Sequence, residues 1–225
     1  MKINIKNFYC IEALIESNPE IIEFINIPNP KDKKISELAV NAKQSGIKIL
    51  NKSKDFYAAC KEPAVRDIKS ANYEIGKSVL IFDEVQDTRN LGSCLRTASF
   101  FGINSVIIPK HNSADFNNTA VIETSTGGVY DLDLYKVANI SQTINKLKEN
   151  NYWVTGFSEH AKKDINTLVP SEKNVFVFGN EQKGIKQLVL KNCDEVLKIK
   201  QIGQTSSLNI SIAAAIATYT LTNKI

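Results

Sequence analysis

From Gly76 onward, short apolar runs alternate with amphipathic stretches, and this alternation constrains the fold more than any other feature of the chain. Ser78–Phe82, Ser105–Ile108, Tyr152–Phe157, Val175–Phe178 and Val196–Ile199 predict strands. Leu91–Phe101, Ile140–Glu149, Ile185–Asn192 and Ser207–Leu221 predict helices. Strands separated by helices favour a parallel sheet with helices on both faces. Such a sheet binds ligands in the loops at the carboxyl ends of its strands.

Glycine divides the chain. Gly46 is the only glycine before residue 75, and the other nine lie at or beyond Gly76. The expected domains are therefore 1–75 and 76–225. In the first, Phe8–Ser17 and Ile35–Lys43 read as helices, and Ile21–Ile27, Ile47–Leu50 and Asp55–Cys60 as extended runs. Pro28 and Pro30 punctuate one connection and Glu62-Pro63 another, which describes a small α/β unit.

Composition narrows the class. At 225 residues, 43% apolar and 23% charged, the chain has enough material to bury a core without disulfides or metals. Cys10, Cys60, Cys94 and Cys193 are scattered without zinc or redox spacing, so no metal is expected and the thiols read as core residues. No apolar run approaches 18 residues and the N-terminus lacks a secretory pattern, so a soluble, cytoplasmic protein with no membrane partner is expected. The net charge of +4 permits a nucleic-acid partner without requiring one. Of 28 basic residues only Arg66, Arg89 and Arg96 are arginines. Against that lysine background an arginine marks a position where a planar, bidentate cation is needed.

Three of the expected strand-to-helix loops are chemically unusual. In the first, Asp83 to Gly92, Asn90 stands where a helix N-cap belongs, so capping and function both account for it. On the following helix Leu91, Leu95, Ala98 and Phe101 form the buried stripe, and Arg96 projects from its flank. The second loop, Gly179-Asn180-Glu181-Gln182-Lys183-Gly184, puts polar side chains directly after a buried strand. Gly179 is expected to let a ligand approach the backbone, and Gly184 to let the chain turn into the helix. In the third, Ile202 to Asn209, Ser206 or Ser207 reads as an N-cap and Asn209 falls in the first turn. Ala213-Ala214-Ala215 predicts a closely packed helix behind it.

No phosphate-binding loop, dinucleotide fingerprint, His-Glu-x-x-His or Gly-x-Ser-x-Gly motif is present. His111 and His160 read as surface residues away from the three loops. A site built without histidine or cysteine positions reactants rather than forming a covalent intermediate.

Taken in order, the loops resemble the three motifs of the SPOUT-class RNA 2′-O-ribose methyltransferases of the TrmH/SpoU family. Asn90-Leu91-Gly92 with Arg96 matches the first, Gly179–Gly184 the second, and Ser207-Leu208-Asn209-Ile210-Ser211 the third. The first 75 residues resemble the family's L30e-like substrate-binding domain by pattern. Lys61–Val65 stands where a His-Gln-Gly stretch is frequent, Lys200-Gln201 where Pro-Met is usual, and Asp87-Thr88-Arg89 where Asp-Pro-Arg is frequent.

The resemblance implies a knotted (trefoil) parallel-sheet α/β domain, a homodimer, and S-adenosylmethionine (S-adenosyl-L-methionine) as cofactor. It implies cofactor binding at Thr155, Gly179, Asn180, Ile199 and Leu208. It implies catalysis by Arg96, with Asn90, Glu181, Ser207 and Asn209 positioning the arginine and the ribose. The expected substrate is structured RNA, ribosomal RNA first and transfer RNA as the alternative. A binding-only RNA protein on the same scaffold is the rival; a dehydrogenase lacks its fingerprint here.

Overall fold

The computed structural model describes residues 2–28, 32–205 and 207–224; Pro30 and Ser206 lie outside the described residues. A small mixed sheet comes first, from β1 (Lys2–Ile5), β2 (Ile22–Asn26), β3 (Lys48–Leu50) and β4 (Tyr57–Lys61) in the order β1-β4-β2-β3. β2 and β3 are parallel and the other pairs antiparallel. Helix α1 (Phe8–Ser17) begins where the Asn7 side chain accepts from the Cys10 amide, and it buries Cys10, Ile11, Leu14 and Ile15. Helix α2 (Lys33–Gln44) is capped by Asp32, and Gly46, at φ 77°, makes the left-handed turn toward β3.

The second sheet is wholly parallel. Its strands are β5 (Val65–Arg66), β6 (Ser78–Phe82), β7 (Ser105–Pro109), β8 (Asp133–Val137), β9 (Trp153–Phe157), β10 (Lys163–Asp164), β11 (Asn174–Phe178) and β12 (Glu195–Lys198). Their order is β10-β12-β9-β11-β6-β7-β8-β5. Helices α3 (Thr88–Phe100), α4 (Thr119–Thr124) and α7 (Ile210–Thr222) share one core with the sheet, and α5 (Ile140–Glu149) and α6 (Gln187–Asn192) share the other. Side chains alternate between these cores at every second residue. Leu80, Phe82, Phe176 and Phe178 enter the first, while Val79, Ile81, Val175 and Val177 enter the second. Burial on both faces is why these strands are continuously apolar.

Sequence pattern misses β1, β5, β8, β10 and α4. In β8 the polar Asp133 and Lys136 interrupt the apolar run, β5 and β10 are two residues long, and α4 has only six. Residues 65–75 join the larger sheet: β5 pairs with β8, Arg66 forms an ion pair with Asp133 at 2.5 Å, and Ile68 and Ile75 enter the α5–α6 core. On the other face the small sheet and α1 share a continuous core with α3 and α4.

Two helix starts differ from expectation. The cap of α3 is Asp87, whose Oδ1 accepts from the amides of Arg89 and Asn90, both at 2.8 Å. Asn90 thereby lies inside the first turn with its side chain free for other work. The cap of α7 is Asn209, whose Oδ1 accepts from the Ser211 amide at 2.8 Å, so the helix begins at Ile210 and Ser207 precedes it. Ala214, Ala217 and Thr218 bury the small-residue face of α7, which packs on α3. Beyond its end, Lys224 Nζ donates to the carbonyls of Asn166 and Leu168, both at 2.8 Å, pinning α7 to the connection between β10 and β11.

Candidate functional site

All three unusual loops meet at the carboxyl edge of the parallel sheet. Asn209 Nδ2 donates to Asn90 Oδ1 at 3.0 Å, and Asn90 Nδ2 donates to Glu181 Oε1 at 3.1 Å. Asn209 Oδ1 is held in turn by the Ser211 amide and by Ser211 Oγ at 2.7 Å. This relay joins α7, α3 and the loop after β11. An amide offers one acceptor and one donor end, so occupying both fixes its orientation. Glu181 and Asn209 are exposed and Asn90 is half-buried, and Glu181 lies close enough to Cys94, one turn beyond Asn90, to add to the burial that raises the thiol's pKa.

The loop after β11 is shaped by its own backbone. Asn180 and Gly184 exchange two backbone hydrogen bonds, and Asn180 Oδ1 accepts from the amides of Gln182 and Lys183. Asn180 Nδ2 reaches back to the Glu84 carbonyl at 2.9 Å. A Cβ on Gly179 would lie 2.0 Å from the Gly184 carbonyl carbon, so closure of the loop on itself requires glycine there. Gly184 takes the left-handed φ of 65° expected of it.

Residues 199–208 are built in the opposite way. Among the described residues no backbone–backbone hydrogen bond ties this segment down. Ile199 is half-buried at the end of β12, and the nearby segment carries Ile202, 91% exposed, and an exposed Leu208. The Gly203 carbonyl accepts from Gln201 Nε2 at 2.9 Å; backbone groups outside any ladder beside apolar side chains suit a flat aromatic ligand held through its edges, as adenine is. Behind this edge Phe157 and Phe178 stack with centroids 5.0 Å apart.

Three expected residues stand elsewhere. Thr155 is fully buried two residues before the end of β9, with its backbone in the ladder and its hydroxyl donating to Glu195 at 3.3 Å. Ser207 is exposed, and among the described residues no hydrogen bond holds its side chain. Arg96 lies six residues, or about 9 Å of helical rise, beyond Asn90. It is exposed, without an ion pair among the described residues, and lines a separate cleft beside α1.

The sequence reading missed a second polar cluster on the same sheet edge. Asp83, only 2% exposed, accepts from the Lys186 amide at 3.3 Å. Lys186 Nζ donates to Glu84 Oε1 at 2.7 Å, and Asn112 Nδ2 donates to the same oxygen at 3.1 Å. Burial raises the Asp83 pKa, against the pull of Lys186. The hydrogen bond from Lys186 lowers that of Glu84. A polar residue directly following an apolar strand was the available signal. Among the described residues no three His, Cys, Asp or Glu side chains gather as a metal site requires, and no helix is long and apolar enough to cross a membrane.

Residues 77–219 match the model of the SpoU rRNA methylase family. A Staphylococcus aureus protein named for the TrmH family of tRNA/rRNA methyltransferases is 34% identical over 95% of this chain and 92% of its own length. A tRNA/rRNA methyltransferase of Archaeoglobus fulgidus is 33% identical over 95% of both. The SpoU methyltransferase AviRb of Streptomyces viridochromogenes, solved with AdoMet, superposes with a TM-score of 0.79 over 99% of this chain and 90% of its own, at 18% identity. That likeness is one of fold. The sequence match runs from the strand before the first loop through most of α7 and so takes in every member of the relay: the chain belongs to the TrmH/SpoU family of RNA methyltransferases.

Proposed function

We propose that this chain is an S-adenosylmethionine-dependent RNA 2′-O-ribose methyltransferase acting in the cytoplasm on ribosomal RNA. The observation that carries the reading is the relay Asn209–Asn90–Glu181, which ties three loops far apart in sequence into one rigid constellation. A binding-only protein has no use for that precision.

The cofactor fits the segment whose backbone lies outside any ladder, with Ile199 and Leu208 as apolar walls and Gly179 and Asn180 at the neighbouring loop. Thr155 supports this edge from within the sheet. When bound there, S-adenosylmethionine would supply an electrophilic methyl group on a sulfonium, the thioether leaving as the methyl passes to the ribose 2′-oxygen and the hydroxyl proton passing to solvent. Arg96 cannot take the hydroxyl proton, because a guanidinium stays protonated in proteins. It clamps the phosphate beside the ribose and stabilises the charge developing on the oxygen. Asn90, Glu181 and Asn209 hold the loops that present the ribose, and Ser207 meets the RNA as it docks.

The family's trefoil knot and homodimer belong to the same reading. The contact of Lys224 with residues 166 and 168 supports the knot, because it holds the end of α7 against the connection it would have to thread. An apolar face supports the dimer: Ile212 and Tyr219 lie two turns apart on α7, and the Tyr219 ring meets Phe101 beside Phe100, which is 80% exposed. A second copy covering this face brings two relays to one interface. The N-terminal part of the expected 1–75 unit, up to residue 64, is the RNA-facing unit of each copy, and 76–225 together with the segment 65–75 that joins its sheet is the methyl-transferring one.

The test is transfer of labelled methyl groups to purified ribosomal and transfer RNA, with the product checked for alkali-resistant linkages. Label in ribosomal RNA is expected; label in transfer RNA alone corrects the substrate. Arg96→Ala should keep cofactor binding by calorimetry and lose about 100- to 1000-fold in turnover. Wild-type turnover in that variant, or no cofactor binding by the native chain, defeats the reading.

A further inference from the structure

The cleft that receives Arg96 is walled by the N-terminal unit. It measures about 580 Å³, within the usual range for a small-molecule or nucleotide-sized site. From α1 come Tyr9, Glu12 and Glu16, at i, i+3 and i+7 on one helix face, with Ala13 between them. Arg96 faces them from α3, and Thr126 closes the cleft after α4.

The walls are fixed relative to each other. Glu123 Oε1 accepts from the amides of Lys6 at 2.7 Å and Asn7 at 3.0 Å, docking the start of α1 on the end of α4. Leu14 packs so closely on Gly127 that a Cβ there would lie 2.9 Å from Leu14 Cδ2. Asn18 Nδ2 donates to Asp131 at 2.9 Å at the far end of the helix. Of the polar groups lining the cleft, Asn7 and Glu123 are spent on fixing these walls, and others are not. Arg96, Glu12 and Glu16 share it, yet among the described residues none forms an ion pair or side-chain hydrogen bond. Tyr9 is 64% exposed. A rigid cleft with a largely exposed ring in edge contact with Phe8, an unpaired guanidinium and two unpaired carboxylates is equipped for a ligand with a π-face, an anion and hydrogen-bond donors.

We propose that this cleft binds a guanosine nucleotide of the RNA, with the base stacked on Tyr9, its Watson–Crick edge on Glu12 or Glu16, and its phosphate on Arg96. The inference rests on the RNA methyltransferase reading and adds base selection to it. Ionised carboxylates only accept hydrogen bonds. Guanine alone presents two adjacent donors, N1–H and the 2-amino group, to one carboxylate. Cytosine and adenine offer one amino group beside an acceptor nitrogen, and uracil one N–H between two carbonyls, so each sets an acceptor against the carboxylate. Unstacked single-stranded bases are read by this combination of aromatic stacking and edge hydrogen bonds. The acidic face of α1 repels a continuous phosphate backbone, which leaves Arg96 as the anion end and α1 as the base end.

Binding of two fluorescent five-residue RNAs, AAGAA and AAAAA, to the full chain tests this. The native protein should prefer the guanine-containing RNA at least tenfold. Glu12→Gln with Glu16→Gln should reduce the preference to twofold or less, and Tyr9→Ala should weaken both RNAs about tenfold. Cofactor affinity by calorimetry reports whether each variant is folded. Equal affinity for the two RNAs, binding of neither, or a preference that survives the double substitution overturns the proposal. Methyl transfer to ribosomal RNA reads the broader function separately: transfer without guanine preference removes only the base pocket, and preference without transfer removes only the enzyme.

Discussion

The two halves of the parallel sheet's carboxyl edge are built on opposite plans. Beyond β6 and β7, Lys186, Glu84, Asp83 and Asn112 satisfy one another while lining a cavity of about 330 Å³. Beyond β12, among the described residues of 199–208 no backbone–backbone hydrogen bond forms, and Ile202 and Leu208 stand in solvent. A parallel sheet offers a crevice along its whole edge. Which part takes a ligand is decided by which part is left unsatisfied, since a polar group already paired gains little from a newcomer. The loop after β11 sits between the halves and belongs to both, with Asn180 held to Glu84 on one side and Glu181 to Asn90 on the other.

The sharpest way to break this arrangement is at that shared loop. Gly179→Ala puts a methyl group 2.0 Å from backbone that cannot move independently. It should lower stability by at least about 3 kcal/mol and abolish cofactor binding, read by denaturant unfolding and calorimetry. Native stability in the variant would mean that the loop does not close as described. Next in size is Asn90→Ala, which interrupts the relay while leaving the helix cap in place. It should reduce kcat about 5- to 150-fold, equivalent to about 1–3 kcal/mol, with little change in cofactor affinity. An unchanged kcat would detach the relay from the chemistry.

Smaller effects separate anchoring from reaction. Asp87→Ala removes the α3 cap and should lower stability by about 1 kcal/mol, or about 2–4 °C in Tm, with turnover scaling only with the folded fraction. The smallest effect belongs to the half whose polar groups are already paired. Because Lys186 holds the Glu84 pKa below its ordinary 4.5, the pair stabilises the fold above that pH, and the contribution is lost as pH falls through the depressed value. Glu84→Gln should flatten this acid limb by less than about 1 kcal/mol, since the Lys186 side chain is 55% exposed. Acid unfolding midpoints for native and variant proteins measure it, and an identical limb would remove the pair from the account.

Legibility in the sequence followed burial. Strands covered on both faces, such as Ser78–Phe82, were evident because every residue must be apolar. β8 was not, because polar residues interrupt its apolar run, nor were the two-residue strands, whose existence depends on a neighbour. The site divided similarly. Asn90, Glu181 and Asn209 stood out as polar residues at strand-to-helix junctions and are joined in space. Thr155 could not be placed by pattern, because a threonine inside a ladder and one at its rim look alike in sequence. Asn90 and Asn209 exchanged their expected parts: Asp87 caps α3, while Asn209 caps α7 and still completes the relay.

The sequence by itself determined the alternation of strands and helices, the three polar loops and the scarcity of arginine. Each is encoded within a window of about ten residues, where periodicity and residue chemistry suffice. Only tertiary structure decided that Arg96 lines a cleft with Tyr9, Glu12 and Glu16 of α1 and that Arg66 is taken by Asp133. These are contacts across 60 to 90 residues of chain, and nothing local favours one partner over another until the core has fixed which helices adjoin.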